Sequence, residues 1–173
     1  MRAQRVTLKG GVARRSDADK YLAAPGDTVI VSRGYPRSVA ILCPDGCGER
    51  LTINLDPATG PAWRLYRGRR GLTLFPSIWR ETGCGSHFII WNNEIWWCDA
   101  EEDWPVRDGP ARLEKRVLAH LTSDVFKNVR EIADDLDEIP WEVMEACRSL
   151  QRKRLIANGS GRLSHSYRLA KRG

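Results

Sequence analysis

No run of about 18 apolar residues occurs in this 173-residue chain, which argues against a membrane-spanning helix. The N-terminus lacks a basic stretch followed by an apolar core, so no secretory signal is expected and the cytoplasm is the default compartment. Histidine is scarce, with only His87, His120 and His165. A glycine-rich phosphate cradle, a serine elbow and a His-Glu-x-x-His helix are all absent. With so few bases and no familiar catalytic motif, the sequence offers no mechanism to defend, and a non-enzymatic role is the expectation. An even cysteine framework is lacking too. The five cysteines fit a metal site in a reducing compartment better than a set of disulfides.

What is present is a folded-protein composition, 42% apolar and 29% charged. The length suits one ordinary domain or two small ones. Residues 27–98 read as short β-branched and aromatic runs separated by Gly, Pro, Asn and Asp. The runs are Thr28–Val31, Ser38–Leu42, Leu51–Leu55, Trp63–Arg67, Leu72–Phe75, His87–Trp91 and Ile95–Cys98, with a weaker one at Val6–Leu8. The segment Glu101–Pro110, with its acids and prolines, reads as a connector.

Beyond it the apolar period changes from two to about 3.6. Helices are predicted near 111–121, around Val129–Leu136 and after Pro140, which suits a first helical turn. Leu155–Ala157 and His165–Leu169, flanking the turn Asn158-Gly-Ser-Gly161, complete the order of a winged helix. The expected architecture is therefore α+β: a zinc-clamped antiparallel β domain over 1–104, then a winged-helix domain over 105–173.

The metal reading rests on Cys43-Pro-Asp-Gly-Cys47-Gly and Gly83-Cys84-Gly-Ser-His87. Each motif places two soft ligands on a glycine-containing turn between strands, and together they supply the four ligands of one structural Zn2+. Cys98 stays open as an alternative to His87. Four protein ligands leave no position for substrate, so the expected role is to clamp hairpins rather than to catalyse. Cys147, among apolar helix positions, reads as a buried thiol. The acids Asp99, Glu101, Glu102 and Asp103 read as a solvated linker, and His120 as a helix-terminal residue.

Two partner surfaces suggest themselves. Trp63, Trp79, Trp91, Trp96 and Trp97 exceed what a small sheet needs for filling, and tryptophan is common at interface hot spots. The second surface is basic: the chain carries a net charge of +6, and residues 146–173 hold eight bases and no acid. Arg148, Arg152, Lys153, Arg154, Arg162, His165, Arg168, Lys171 and Arg172 are the candidates for contact with DNA or RNA. Glu142 and Glu145, in the first turns of the third helix, disfavour deep base readout by its N-terminus.

The order Cys43-Pro-Asp-Gly-Cys47-Gly, Trp63-Arg-Leu, Pro76-Ser-Ile-Trp79-Arg and Thr82-Gly-Cys84-Gly-Ser-His87-Phe-Ile-Ile with Trp96 resembles a bacterial family of small zinc proteins of unknown function. The resemblance covers about residues 25–99. Members of that family occur beside genes for ubiquitin-like proteins and their E1-like, E2-like and JAB-peptidase partners, including clusters with suspected antiphage roles. The resemblance implies Cys43, Cys47, Cys84 and His87 as metal residues. It also implies an adaptor or accessory protein with a ubiquitin-like, E1-like or E2-like partner. A nucleic-acid-binding or regulatory protein using the basic C-terminal domain is the alternative.

Overall fold

A computed structural model describes residues 1–99 and 109–170. Lys171 and Arg172 of the basic set, and the acids Glu101, Glu102 and Asp103, lie outside the described residues. The chain divides into two compact units, Met1–Trp104 and Pro105–Gly173.

The first unit contains eight described strands: β1 (Thr7–Val12), β2 (Asp27–Arg33), β3 (Tyr35–Leu42), β4 (Arg50–Asn54), β5 (Arg64–Gly68), β6 (Gly71–Trp79), β7 (His87–Trp91) and β8 (Glu94–Trp97). They form two four-stranded sheets, β1-β2-β3-β4 and β5-β6-β7-β8. Side chains alternate across each strand, so one face of each sheet can enter a shared core. Val39, Ile41, Leu51 and Ile53 from the first sheet join Leu72, Leu74, Ile78, Phe88, Ile90, Ile95 and Trp97 from the second in one buried cluster. The outer face of the first sheet is also covered. Val29, Ala40 and Leu42 pack there with Ala18 and Leu22, from or beside two short 3-10 turns. That double burial explains why β2 and β3 carry nearly continuous apolar runs.

Three differences from the expected strands have physical causes. The first sheet is not wholly antiparallel, because β1 pairs parallel with β2. The connection carrying the 3-10 turns is long enough for such a crossover, which needs about a dozen residues. Strand β6 runs on to Trp79 instead of stopping at Phe75. Pro76 signals a break, but a register shift against β7 between Leu74 and Ile78 absorbs it, and the ladder resumes at Ile78–Phe88 and Trp79–His87. The third difference is a two-residue strand in the second unit, too short to leave a periodic trace.

That strand is β9 (Lys127–Asn128), following α1 (Pro110–His120). Helices α2 (Val129–Leu136) and α3 (Pro140–Arg152) come next, then β10 (Ile156–Asn158) and β11 (Ser166–Leu169). The sheet order is β10-β11-β9, with both pairings antiparallel. Leu113, Val117, Ile132, Val143, Cys147, Leu150 and Tyr167 form the core of this unit. No described helix is long and apolar enough to cross a membrane.

Asn128 starts α2 with a complete capping box. Its side chain accepts from the amides of Arg130 and Glu131, while the Glu131 carboxylate accepts from the Asn128 amide. Replacing Asn128 with alanine is expected to destabilise the second unit by about 1 kcal/mol, measurable by urea unfolding, because an amide donor of a short helix loses its partner.

Candidate functional site

Strand β3 ends at Leu42, and the chain turns through 43–49 before pairing again at Arg50. The turn closes with Cys43 N–H donating to Glu49 O (2.7 Å) and Gly46 N–H to Cys43 O (3.2 Å). Gly46 has φ +91°, in the left-handed region, which lets the Cys47 side of the turn fold back towards Cys43. The second turn joins β6 to β7 and closes with Arg80 N–H donating to Ser86 O (2.8 Å). Arg80 also donates to the Glu49 carboxylate, tying the two turns together. A side chain at Gly83 would press on both partners of that ion pair, 3.2 Å from each, and Gly83 also has φ +76°.

The two turns bring Cys43, Cys47 and Cys84 together, with their sulfurs all within 4.8 Å of one another. Cys43 Sγ and Cys84 Sγ are 3.7 Å apart. Around a tetrahedral ion with metal–sulfur bonds of about 2.3 Å, the sulfur–sulfur edge is about 3.8 Å. The three thiols therefore fit a metal ion. Buried Ser86 places its Oγ 3.2 Å from Cys84 Sγ and 3.7 Å from Cys43 Sγ. Burial pushes the Cys43 thiol up to about 12, while the hydrogen bond with Ser86 leads the effects that lower Cys84. Metal binding would draw the protons off both, since thiolates are the ligands.

Neither His87 nor Cys98 joins this cluster. Cys98 follows β8, where burial raises its thiol pKa, and its amide donates to His87 O (2.8 Å). The His87 ring turns to a different neighbour: Nε2 lies 3.0 Å from Ser77 Oγ. Strand geometry explains why. His87 stands directly opposite Trp79 across the β6–β7 ladder. Ser77, two residues before Trp79, shares its face of the sheet, and Ile78 between them points into the core. His87 and Ser77 are thus diagonal neighbours on the outer face.

The environment fixes both partners. Trp63 Nε1–H donates to Ser77 O (3.1 Å), and the Trp79 ring lies against the imidazole with centroids 5.7 Å apart. Asp99 lies within electrostatic reach of His87. Its carboxyl is held below the usual range first by a hydrogen bond from Arg2, with His87 a smaller contribution. Arg2 also bonds Asp45 in the first cysteine turn and stacks over Trp97, 4.5 Å from the ring centroid. A serine hydroxyl within hydrogen-bonding reach of an imidazole is the arrangement a nucleophile–base pair requires, in which the ring accepts the hydroxyl proton as the oxygen attacks a carbonyl carbon.

Residues 14–98 match the model of a family described as bacterial ubiquitination-like system serine protease, BubE. The match covers just under half of the chain. It takes in both cysteine turns and the Ser77–His87 pair, and it links the first unit to bacterial ubiquitination-like systems. No curated protein and no solved structure matches the chain significantly.

Sequence reading did not single out Ser77 as a neighbour of His87. The signal was there: an antiparallel hairpin that pairs Trp79 with His87 must set residue 77 diagonal to the histidine. Pro76 hid it by ending the expected strand early.

The tryptophans separate by face. Trp97 is buried in the core and Trp63 is partly buried against it. Trp91 and Trp96 meet on the outer face of the second sheet, with centroids 5.9 Å apart. In the second unit, Arg152, Arg154, Arg162 and His165 are exposed. Arg148 pairs with Glu145 at 2.8 Å, Lys153 with Glu114 at 2.5 Å, and Arg168 stacks on Phe126 at 4.6 Å. His120 contacts Asp135 and Lys127, at 3.0 and 2.9 Å.

Proposed function

We propose that the first unit is a serine hydrolase acting on an amide bond in a bacterial ubiquitination-like system, with Ser77 as nucleophile and His87 as base. The observation that carries this reading is the 3.0 Å contact between Ser77 Oγ and His87 Nε2, inside the residues that match a serine-protease family. With its proton on Nδ1, His87 accepts the Ser77 hydroxyl proton as Oγ bonds to the carbonyl carbon. The imidazolium then protonates the leaving amine, and water releases the acyl group by the reverse proton path. Asp99 stabilises the imidazolium through its charge.

An adaptor and a hydrolase share the same setting among ubiquitin-like, E1-like and E2-like proteins. The serine–histidine pair favours the hydrolase. In this reading Zn2+ is held by Cys43, Cys47 and Cys84, where it would bind the two turns together; Cys84 precedes His87 by three residues, so the clamp fixes the strand that carries the base. The test is a fluorophosphonate probe, which phosphonylates activated serines with loss of fluoride. Mass analysis should find a single adduct on Ser77, lost when His87 is replaced by alanine; an unlabelled folded protein defeats the proposal.

A second reading concerns the second unit, favoured by its element order and by the exposed Arg152, Arg154, Arg162 and His165. It is a winged helix that contacts the phosphates of DNA or RNA. Binding of a labelled duplex should weaken steeply with salt, by a log–log slope of about 0.9 per phosphate contacted. Replacing Arg152 and Arg154 by alanine should flatten that slope; no binding at low salt removes this reading.

A further inference from the structure

Trp79 is 61% exposed, the most exposed aromatic among the described residues. Single exposed apolar side chains are ordinary and carry nothing by themselves. Its position is what matters. Trp79 stands on the same face as Ser77, two residues further along β6, and directly opposite His87. At a strand rise of about 3.3 Å per residue, its backbone lies about 7 Å from that of Ser77. Ile89 and the Trp91–Trp96 pair continue the same face along β7 and β8. An extended peptide with its scissile carbonyl at Ser77 Oγ would cover this distance in about two residues. Whatever side chain it carries there meets the open indole.

We infer that Trp79 forms an apolar subsite of the Ser77–His87 centre, and that the substrate is an extended peptide with a large apolar side chain within two residues of the scissile bond. The inference rests on the hydrolase reading above. The indole offers flat apolar area with no hydrogen-bond demand on its open face, so it rewards an aliphatic chain and gives little to alanine. Trp79 also packs against the His87 imidazole, so the subsite is tested by the preference between side chains rather than by the overall rate.

The experiment uses the full chain and a panel of internally quenched peptides with leucine or alanine at each of the two positions on either side of the cleaved bond. Leucine at one of these positions should raise kcat/KM by about tenfold or more, the usual value of a side chain filling an apolar subsite. Trp79→Ala should erase that preference, bringing the leucine and alanine peptides to the same kcat/KM, while Trp79→Phe should keep most of it. If the wild type cleaves leucine and alanine peptides alike, or if Trp79→Ala slows both by the same factor and keeps the preference, the subsite assignment falls and the hydrolase reading stands. A wild-type protein that labels at Ser77 but cleaves no peptide also overturns the subsite. A protein that neither labels nor cleaves overturns the hydrolase reading and the subsite with it.

Discussion

Alanine at position 77 should lower amide hydrolysis by on the order of 10^4-fold or more, with KM little changed. No other hydroxyl is placed at His87 Nε2 among the described contacts. The same loss is expected for His87→Ala, and the double variant should be no worse than either single one, because nucleophile and base act as a unit. Two tests of integrity keep the result interpretable. Ser77 is only partly buried and its side chain lies outside the core cluster, so the alanine variant should melt with the wild type. Its metal content should be unchanged as well. A folded Ser77→Ala protein that retains full hydrolysis would show that the 3.0 Å pair is an incidental surface hydrogen bond.

Metal removal is the second large effect. Structural zinc contributes about 10–16 kcal/mol of apparent binding free energy in small zinc peptides, comparable with the whole stability of a domain. Here the sandwich has its own apolar core, so chelation should cost less than that full amount. A loss of about 3 kcal/mol or more is expected, which lowers the melting temperature of a domain near 100 residues by roughly 12–24 °C. Hydrolysis should disappear at the same chelator concentration, since Cys84 and His87 share the turn that enters β7. Elemental analysis should return one zinc per chain. Replacing Cys43, Cys47 or Cys84 by serine should each abolish retention of the metal, whereas His87→Ala and Cys98→Ser should keep it. Metal lost from His87→Ala would return the histidine to the coordination sphere and remove the base from the proposed mechanism. A metal-free chain melting at the same temperature would defeat the clamp.

Both predictions turn on where one histidine ring points, and that was not legible in the spacing. Cys84-Gly-Ser-His87 supports a knuckle as well as it supports a strand start, because C-x2-H is a common ligand interval. Along a chain read one residue at a time, the ligand reading has the advantage. It needs only local turns, whereas Ser77 becomes relevant only if β6 survives Pro76 and pairs with β7 in one particular register. A one-residue slip would send His87 into the core and Phe88 to the surface. The buried Phe88 and Ile90 hold the register that puts His87 outside.

The sequence by itself determined most of the elements and the thiol cluster. Alternation of β-branched and aromatic residues specifies strands locally, and the glycines at the two turns specify how Cys43, Cys47 and Cys84 can converge. Composition and the change of period near residue 105 announced a helical second unit, and the capping box at Asn128 was built from adjacent residues. The tertiary structure alone decided three things: the parallel pairing of β1 with β2, the continuation of β6 through its register shift, and the partner of His87. Each depends on contacts between segments far apart in the chain, whose energies come from burying a common core rather than from any local preference. The Ser77–His87 pair is therefore a consequence of sheet register, with no motif of its own to find.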